Sequence, residues 1–190
     1  MADMGQIVFI VLVGLWLLLE AYLHLFFNRR TAGMNTEKIS KHIMLVFFMV
    51  GLMGGRIFFP DFAPAFREPF NPARWAGLLL ILASLVLRLA VIRQLGGSYS
   101  INPGVAEKQR LVTAGCFRHV RHPGYLSMII NFLGIALCYW HAFASPLAFL
   151  LPTAAVAYRI RIEEQVLLRG FGNAYEEYRA RTNMLIPRIL

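Results

Sequence analysis

The chain has 190 residues, 58% hydrophobic and only 15% charged, with a mean hydropathy of +0.57; a soluble domain has about 45–50% apolar and about 25% charged residues. The apolar excess falls in long runs rather than alternating with polar positions, which excludes an ordinary water-soluble globule and, at this length, implies one domain over 1–190. A formal charge of +9 and a pI near 10.2 do not signify nucleic acid, because the basic residues lie between apolar runs rather than in an arm or stripe; anionic membrane lipid is the partner this distribution fits.

A bilayer core of about 30 Å takes about 20 apolar residues of helix. Residues 5–27 meet that length and end in Asn28-Arg29-Arg30 rather than a small-residue cleavage site, so they read as a retained span and not a signal peptide. Within them Glu20 and His24 are four apart and share a helix face. A second span is expected over 43–59 and a third over 75–95, the third carrying an isolated Arg88. Residues 125–140 and 142–168 form the fourth and fifth, separated by a turn at Trp140-His141, with the apolar part of the fifth ending at Tyr158. Pro146 and Pro152 predict that this last helix starts irregularly or bends. Beyond it, Arg159-Ile160-Arg161-Ile162-Glu163-Glu164 opens a charged helical segment to about Arg181, expected to leave the membrane and fold back, with Gly170 and Gly172 as breakers.

The expected fold class is therefore all-α: an integral membrane protein of about five transmembrane helices with a C-terminal helical tail. Arg29, Arg30, Lys38 and Lys41 follow the first span, and Lys108, Arg110, Arg118 and Arg121 follow the third. The loop from Pro60 to Arg74 is mixed in charge. This bias predicts an external N-terminus and a cytoplasmic C-terminus. Glu20 and Arg88 then each precede a cytoplasmic helix end by about seven residues, or about 10 Å. They are expected at similar depth, as an ion pair or as the wall of a polar cavity. Arg56, near an outer end, is expected to snorkel.

Two clusters carry the chemistry. In Gly115-Cys116-Phe117-Arg118-His119-Val120-Arg121-His122-Pro123-Gly124-Tyr125, two histidines and two arginines stand against the start of a membrane helix that Pro123 can open. A helix N-terminus attracts anions, and Arg121 reinforces the effect. No metal is expected, since His119 and His122 have no third and fourth ligands in view. Cys116 and Cys138 are not expected to form a disulfide. The second cluster is Glu163-Glu164, acidic among basic neighbours. With Arg159 it sets a cation-attracting group beside an anion-attracting one, the mixture a sulfonium bearing an amino-acid tail and ribose hydroxyls would need. Downstream, Tyr175 and Tyr178 make an i, i+3 aromatic pair.

In order, Leu95-Gly96-Gly97-Ser98-Tyr99-Ser100, Arg121-His122-Pro123-Gly124-Tyr125, Arg159-Ile160 before Glu163-Glu164, and Phe171-Gly172 ahead of Tyr175, Tyr178, Thr182 and Pro187 form a pattern over the second half of the chain. That pattern resembles the isoprenylcysteine carboxyl methyltransferase family, with its short prokaryotic members, and the related phospholipid methyltransferases. The resemblance implies S-adenosylmethionine as methyl donor, bound without a Rossmann domain, and no G-x-G-x-x-G run follows a strand-like segment here. It further implies that His122, Pro123, Tyr125 and Leu126 line the cofactor pocket with Glu163 or Glu164. The tail with Tyr175, Tyr178 and Pro187 would close over that pocket, and Arg159 and Glu164 correspond to the family's catalytic pair. The implied acceptor is a lipophilic carboxylate of the isoprenylcysteine type, entering between helices. Amine or thiol acceptors, an NADPH-dependent reductase of the sterol reductase type and a non-catalytic scaffold are the alternatives.

Overall fold

The computed structural model describes residues 4–26, 46–47, 49–50, 71–96 and 111–185. The span expected over 43–59 (of which 46–47 and 49–50 are helical), Arg56, the motif beyond Gly96, the His24 side chain and Pro187 lie outside the described residues.

The first apolar run forms α1, Met4–Phe26, and the third forms α2, Pro72–Leu95. Pro72 occupies the first helical position of α2, where a missing N–H costs nothing. Asn71 caps the helix, its Oδ1 accepting from the Ala73 N–H at 2.9 Å and from Arg74 N–H at 3.4 Å. Both helices are long and apolar enough to cross a membrane. After a short 3-10 turn at Gly115–Arg118, α3 runs from Pro123 to Tyr139 and α4 from Ala144 to Phe171. At 28 residues α4 is about 42 Å long, about 12 Å more than a bilayer core. Its length would let the charged C-terminal part extend past a bilayer core.

Between α3 and α4 the chain turns at Trp140, which takes a left-handed φ of 45°. His141 then caps α4: its Nδ1 accepts from the Phe143 and Ala144 N–H groups, both at 3.2 Å. This cap moves the start of α4 from 142 to Ala144. Pro152 stays inside the helix. One expected breaker is corrected: α4 runs through Gly170 and stops only at Gly172, whose φ of 52° suits a residue without Cβ. Intact hydrogen bonding and the good helix formers Leu167, Leu168 and Arg169 outweigh the entropic cost of one glycine. The tail helix α5, Asn173–Arg181, follows.

The helix directions come from specific contacts. Gly5 lies against the Arg74 guanidinium and Glu20 against Arg88, so α1 and α2 run the same way. Gly77 and Gly134 bring α2 and α3 together in opposite directions. A Cβ on Gly77 would stand 2.6 Å from the Gly134 carbonyl oxygen, and one on Gly134 2.7 Å from that of Gly77. Small residues allow this backbone approach in membranes, where dispersion rather than water drives helix association. Around the crossing lie Val13, Leu78, Ile81, Ile135, Tyr139 and Ala148. Toward the other end, Trp16, Met128, Phe132, Val156 and Ile160 form a second cluster, joined by Met184 and Leu185 from the tail.

Outward, Ile10, Leu18, Leu25, Leu79, Val86 and Leu150 are exposed, while Arg74 and Ser84 are fully buried. Apolar surface outside and polar groups inside suit a lipid solvent. Ser84 Oγ donates to the Ile81 carbonyl at 2.6 Å, so it receives rather than gives in its 3.4 Å contact with Asn131. Rotating the Asn131 amide by half a turn supplies that donor and accounts for its otherwise unpartnered Nδ2.

Candidate active site

The two sequence clusters meet at one end of the bundle. Pro123 occupies the first position of α3, which holds His122 in an extended-side backbone (φ −121°, ψ 57°) just outside the helix. The segment before it is tied down twice. On one side Gln94, at the end of α2, accepts from the Cys116 N–H at 2.9 Å and donates to the Ala114 carbonyl at 2.5 Å. On the other, the tail pairs with it as an isolated parallel bridge between Val120 and Asn183. There Arg121 N–H donates to Asn183 O at 2.8 Å, His122 N–H to Met184 O at 3.2 Å, and Asn183 N–H to His119 O at 3.1 Å.

Neighbouring residues on a helix point about 100° apart, so Glu163 and Glu164 serve different partners. Glu164 is buried and accepts on Oε1 from His122 Nε2 at 2.7 Å, Tyr175 Oη at 2.7 Å and Arg121 Nε at 3.1 Å. Its Oε2 lies 3.3 Å from Arg179 Nε. Burial alone pushes this carboxyl up, but the hydrogen bonds from His122 and Tyr175, with the His122 and Arg121 charges, together outweigh it and hold the group at about 2. An ionised acceptor requires His122 to carry its proton on Nε2. Burial, then the Glu164 hydrogen bond and charge, raise the Tyr175 phenol. Burial likewise pushes Tyr178 up to about 12.

Glu163 belongs to a second network. Tyr125 Oη donates to Glu163 Oε2 at 2.5 Å and accepts from Arg159 Nε at 2.9 Å. Arg159 is 2% exposed. The one-turn spacing of Arg159 and Glu163 along α4 is thus bridged by a phenol from α3. The His122 and Tyr125 rings lie 5.8 Å apart, so the two networks are adjacent.

Of the residues singled out in the sequence, His122, Tyr125, Arg159, Glu163, Glu164 and Tyr175 converge here. Pro123 shapes the backbone, and Leu126, half-buried in the first turn, bonds through its N–H to the His122 carbonyl at 3.0 Å. Tyr178 goes elsewhere: its hydroxyl donates to the Phe117 carbonyl at 2.7 Å and holds the 3-10 turn, 6.0 Å ring to ring from Tyr175. One residue, Arg179, and one role, that of Arg121, lie outside the sequence reading of the site. Arg121, in sequence a charge near a helix start, also donates to the carbonyls of Arg179 (3.2 Å) and Thr182 and so caps α5. Arg179 gave no signal beyond a basic residue in a basic tail. Beside this assembly an open cleft of about 640 Å³ is lined by Thr113, Arg118, His119, Glu177, Tyr178 and Arg181 among others.

Residues 72–174 match the sequence model of the phospholipid methyltransferase family. The protein-S-isoprenylcysteine O-methyltransferase of Schizosaccharomyces pombe is 30% identical over 197 residues, covering 95% of this chain and 83% of that protein. Protein-S-isoprenylcysteine O-methyltransferase A of Arabidopsis thaliana is 31% identical over 104 residues, covering 54% of this chain and 53% of its own. Among solved structures, the eukaryotic intramembrane Ras methyltransferase, an isoprenylcysteine carboxyl methyltransferase, superposes with a TM-score of 0.59 at 23% identity. That superposition covers 84% of this chain and 55% of the other, so the chain spans just over half the length of that protein.

Proposed function

The chain belongs to the isoprenylcysteine carboxyl methyltransferase family, and on that premise we propose that it transfers a methyl group from S-adenosylmethionine to the carboxylate of a lipophilic, isoprenylcysteine-type acceptor at the membrane surface. The observation that supports this reading is the meeting of the His122–Tyr125 segment with Arg159, Glu163 and Glu164. The donor set suits a sulfonium with an amino-acid tail and ribose: a carboxylate beside a guanidinium, the two bridged by a tyrosine hydroxyl. When bound, the cofactor supplies an electrophilic methyl carbon. Transfer to the acceptor oxygen would form a C–O bond as the C–S bond breaks, the electron pair staying on sulfur as a thioether. A carboxylate acceptor is already ionised at neutral pH, so no general base is needed.

Catalysis then rests on positioning and on excluding water. Arg159 orients the acceptor carboxylate, at the cost of damping its nucleophilicity. Glu163, held by Tyr125, would offer its carboxylate to the sulfonium charge. Glu164, which the family resemblance pairs with Arg159 as catalytic, acts through the four side chains it gathers. Arg159→Ala is expected to lower kcat about 10²-fold, measured with saturating methyl donor; a folded variant with unchanged turnover removes Arg159 from the mechanism.

The test of the function is incubation of purified protein with methyl-labelled S-adenosylmethionine and a farnesylated cysteine analogue. The expected product is a methyl ester, which alkali cleaves to release volatile labelled methanol. The match to phospholipid methyltransferases favours a second reading, an amine acceptor, with Glu163 as the base that removes an ammonium proton. Its label, like that of a methylated thiol, would survive alkali. Binding of NADPH in place of S-adenosylhomocysteine would instead favour a reductase. The inner face of the membrane, set by the Lys/Arg bias, is where we place the site.

A further inference from the structure

We propose that the buried Arg88–Glu20 pair is a positioning strut for the methyl-donor segment, holding the first turn of α3, and with it His122 and Tyr125, in register with Glu163 and Glu164. The proposal rests on the function proposed above. A charge at this depth in a membrane bundle needs a partner, and Glu20 on α1 provides one: Arg88 Nη2 lies 2.8 Å from its Oε1 and 3.1 Å from its Oε2. A pair serving only to join α1 to α2 would end there. The other arm of the guanidinium does something different. Arg88 Nη1 donates to the Gly124 carbonyl at 3.2 Å, the oxygen of the peptide that joins Gly124 to Tyr125.

Three further observations make this contact specific. The same oxygen also receives Ser127 Oγ at 2.6 Å, so an acceptor in the first turn of α3 is held from two sides. Residue 124 is a glycine, and a Cβ there would stand 3.0 Å from Arg88 Nη1; any other side chain would crowd the arm that reaches it. The guanidinium is planar and rigid, so Glu20 on one arm fixes where the other arm points. One side chain, 7% exposed, thus ties α1, α2 and the start of α3 at a single point, one residue from Tyr125. The contacts of Arg88 with Glu20 and Gly124 involve none of the side chains proposed to meet the cofactor. It acts through the backbone that carries them.

The test uses the full chain in detergent. Calorimetry measures S-adenosylhomocysteine affinity, and hydrogen exchange without ligand measures protection of the amides in the first turn of α3. Arg88→Met is expected to weaken the affinity about tenfold or more and to speed exchange in that turn. The KM for the acceptor should stay within about twofold, because the acceptor is held from α4. Since Arg88→Met strands the Glu20 charge and can fail to fold, the Glu20→Gln/Arg88→Met double variant removes both charges together. Gly124→Ala leaves the pair intact and crowds only the reaching arm; it should weaken ligand binding in the native background and far less in the double variant. Equal effects of Gly124→Ala in both backgrounds, or a double variant with native affinity and native exchange, overturns the strut. A native chain that binds no S-adenosylhomocysteine, while these variants still loosen the first turn of α3, overturns the methyl-donor reading and supports the strut.

Discussion

Glu164→Ala is expected to detach the C-terminal tail and to abolish methyl transfer together. The substitution removes the acceptor shared by His122, Tyr175, Arg121 and Arg179, and leaves the Arg121 side chain, only 8% exposed, without its carboxylate. Breaking a buried pair from one side costs about 3–5 kcal/mol, enough to release α5 and the 182–185 strap from the 119–122 segment. Limited proteolysis beyond residue 172, with calorimetry against S-adenosylhomocysteine, reads both effects. A protease-resistant alanine variant that still binds the ligand would remove Glu164 from its central place. Glu164→Gln keeps the shape but offers one neutral oxygen, and should retain the tail while losing most of the affinity.

Acid should act on the same carboxylate. Its folded value of about 2 lies below the ordinary 4.5. A depressed value means the folded state binds the proton less well than the unfolded chain. The contribution is therefore complete above pH 4.5 and is lost as pH falls from there toward 2, on the order of 3 kcal/mol in all. His122, Arg121, Arg179 and Tyr175 face the group, and only the carboxylate itself is neutralised by acid in that range. Tail release monitored by proteolysis should rise through this interval in the native chain and be pH-independent in Glu164→Gln.

The second large effect belongs to the helix crossing. Gly134→Val is expected to prevent α2 and α3 from closing, because its first added atom already stands 2.7 Å from the Gly77 carbonyl oxygen and 3.0 Å from the Ile81 backbone nitrogen. Backbone cannot swing away as a side-chain tip can. The cost should lie at or beyond the upper end of overpacking, about 3 kcal/mol. Size-exclusion chromatography in detergent should show loss of the monodisperse species, whereas Leu79→Ala, on a side chain 66% exposed, should leave it intact. A Gly134→Val chain that melts at the native temperature would mean that the helices do not cross here.

Much of this protein is legible without coordinates because its solvent is a membrane. Long apolar runs must be helical when no water is present to satisfy the backbone, so α1 and α2 follow almost residue for residue from composition. The depth match of Glu20 and Arg88 came from counting residues to the helix ends. The structure resolves the two alternatives left open for them by placing the groups in contact. The Gly170 breaker failed because intrinsic propensity is weak, about 1 kcal/mol for one glycine, and a continuous helix overrides it.

What the sequence determined by itself is therefore the helical class, the membrane setting, the family and most of the residues gathered at one end of the bundle. Each of these depends on local composition or on motif order. What only the tertiary structure decided is how the gathered residues divide their work. Two adjacent glutamates are equivalent on paper; docking of α3 and the tail against two sides of α4 sends Glu163 to Tyr125 and Arg159, and Glu164 to His122, Tyr175 and two arginines. Arg179, and the pairing of Arg121 with Glu164, were invisible for the same reason, since a basic residue that neutralises a buried carboxylate looks no different in sequence from one that faces lipid headgroups. Direction around a helix, not position along the chain, separates the two, and it acquires meaning only when neighbours are in place.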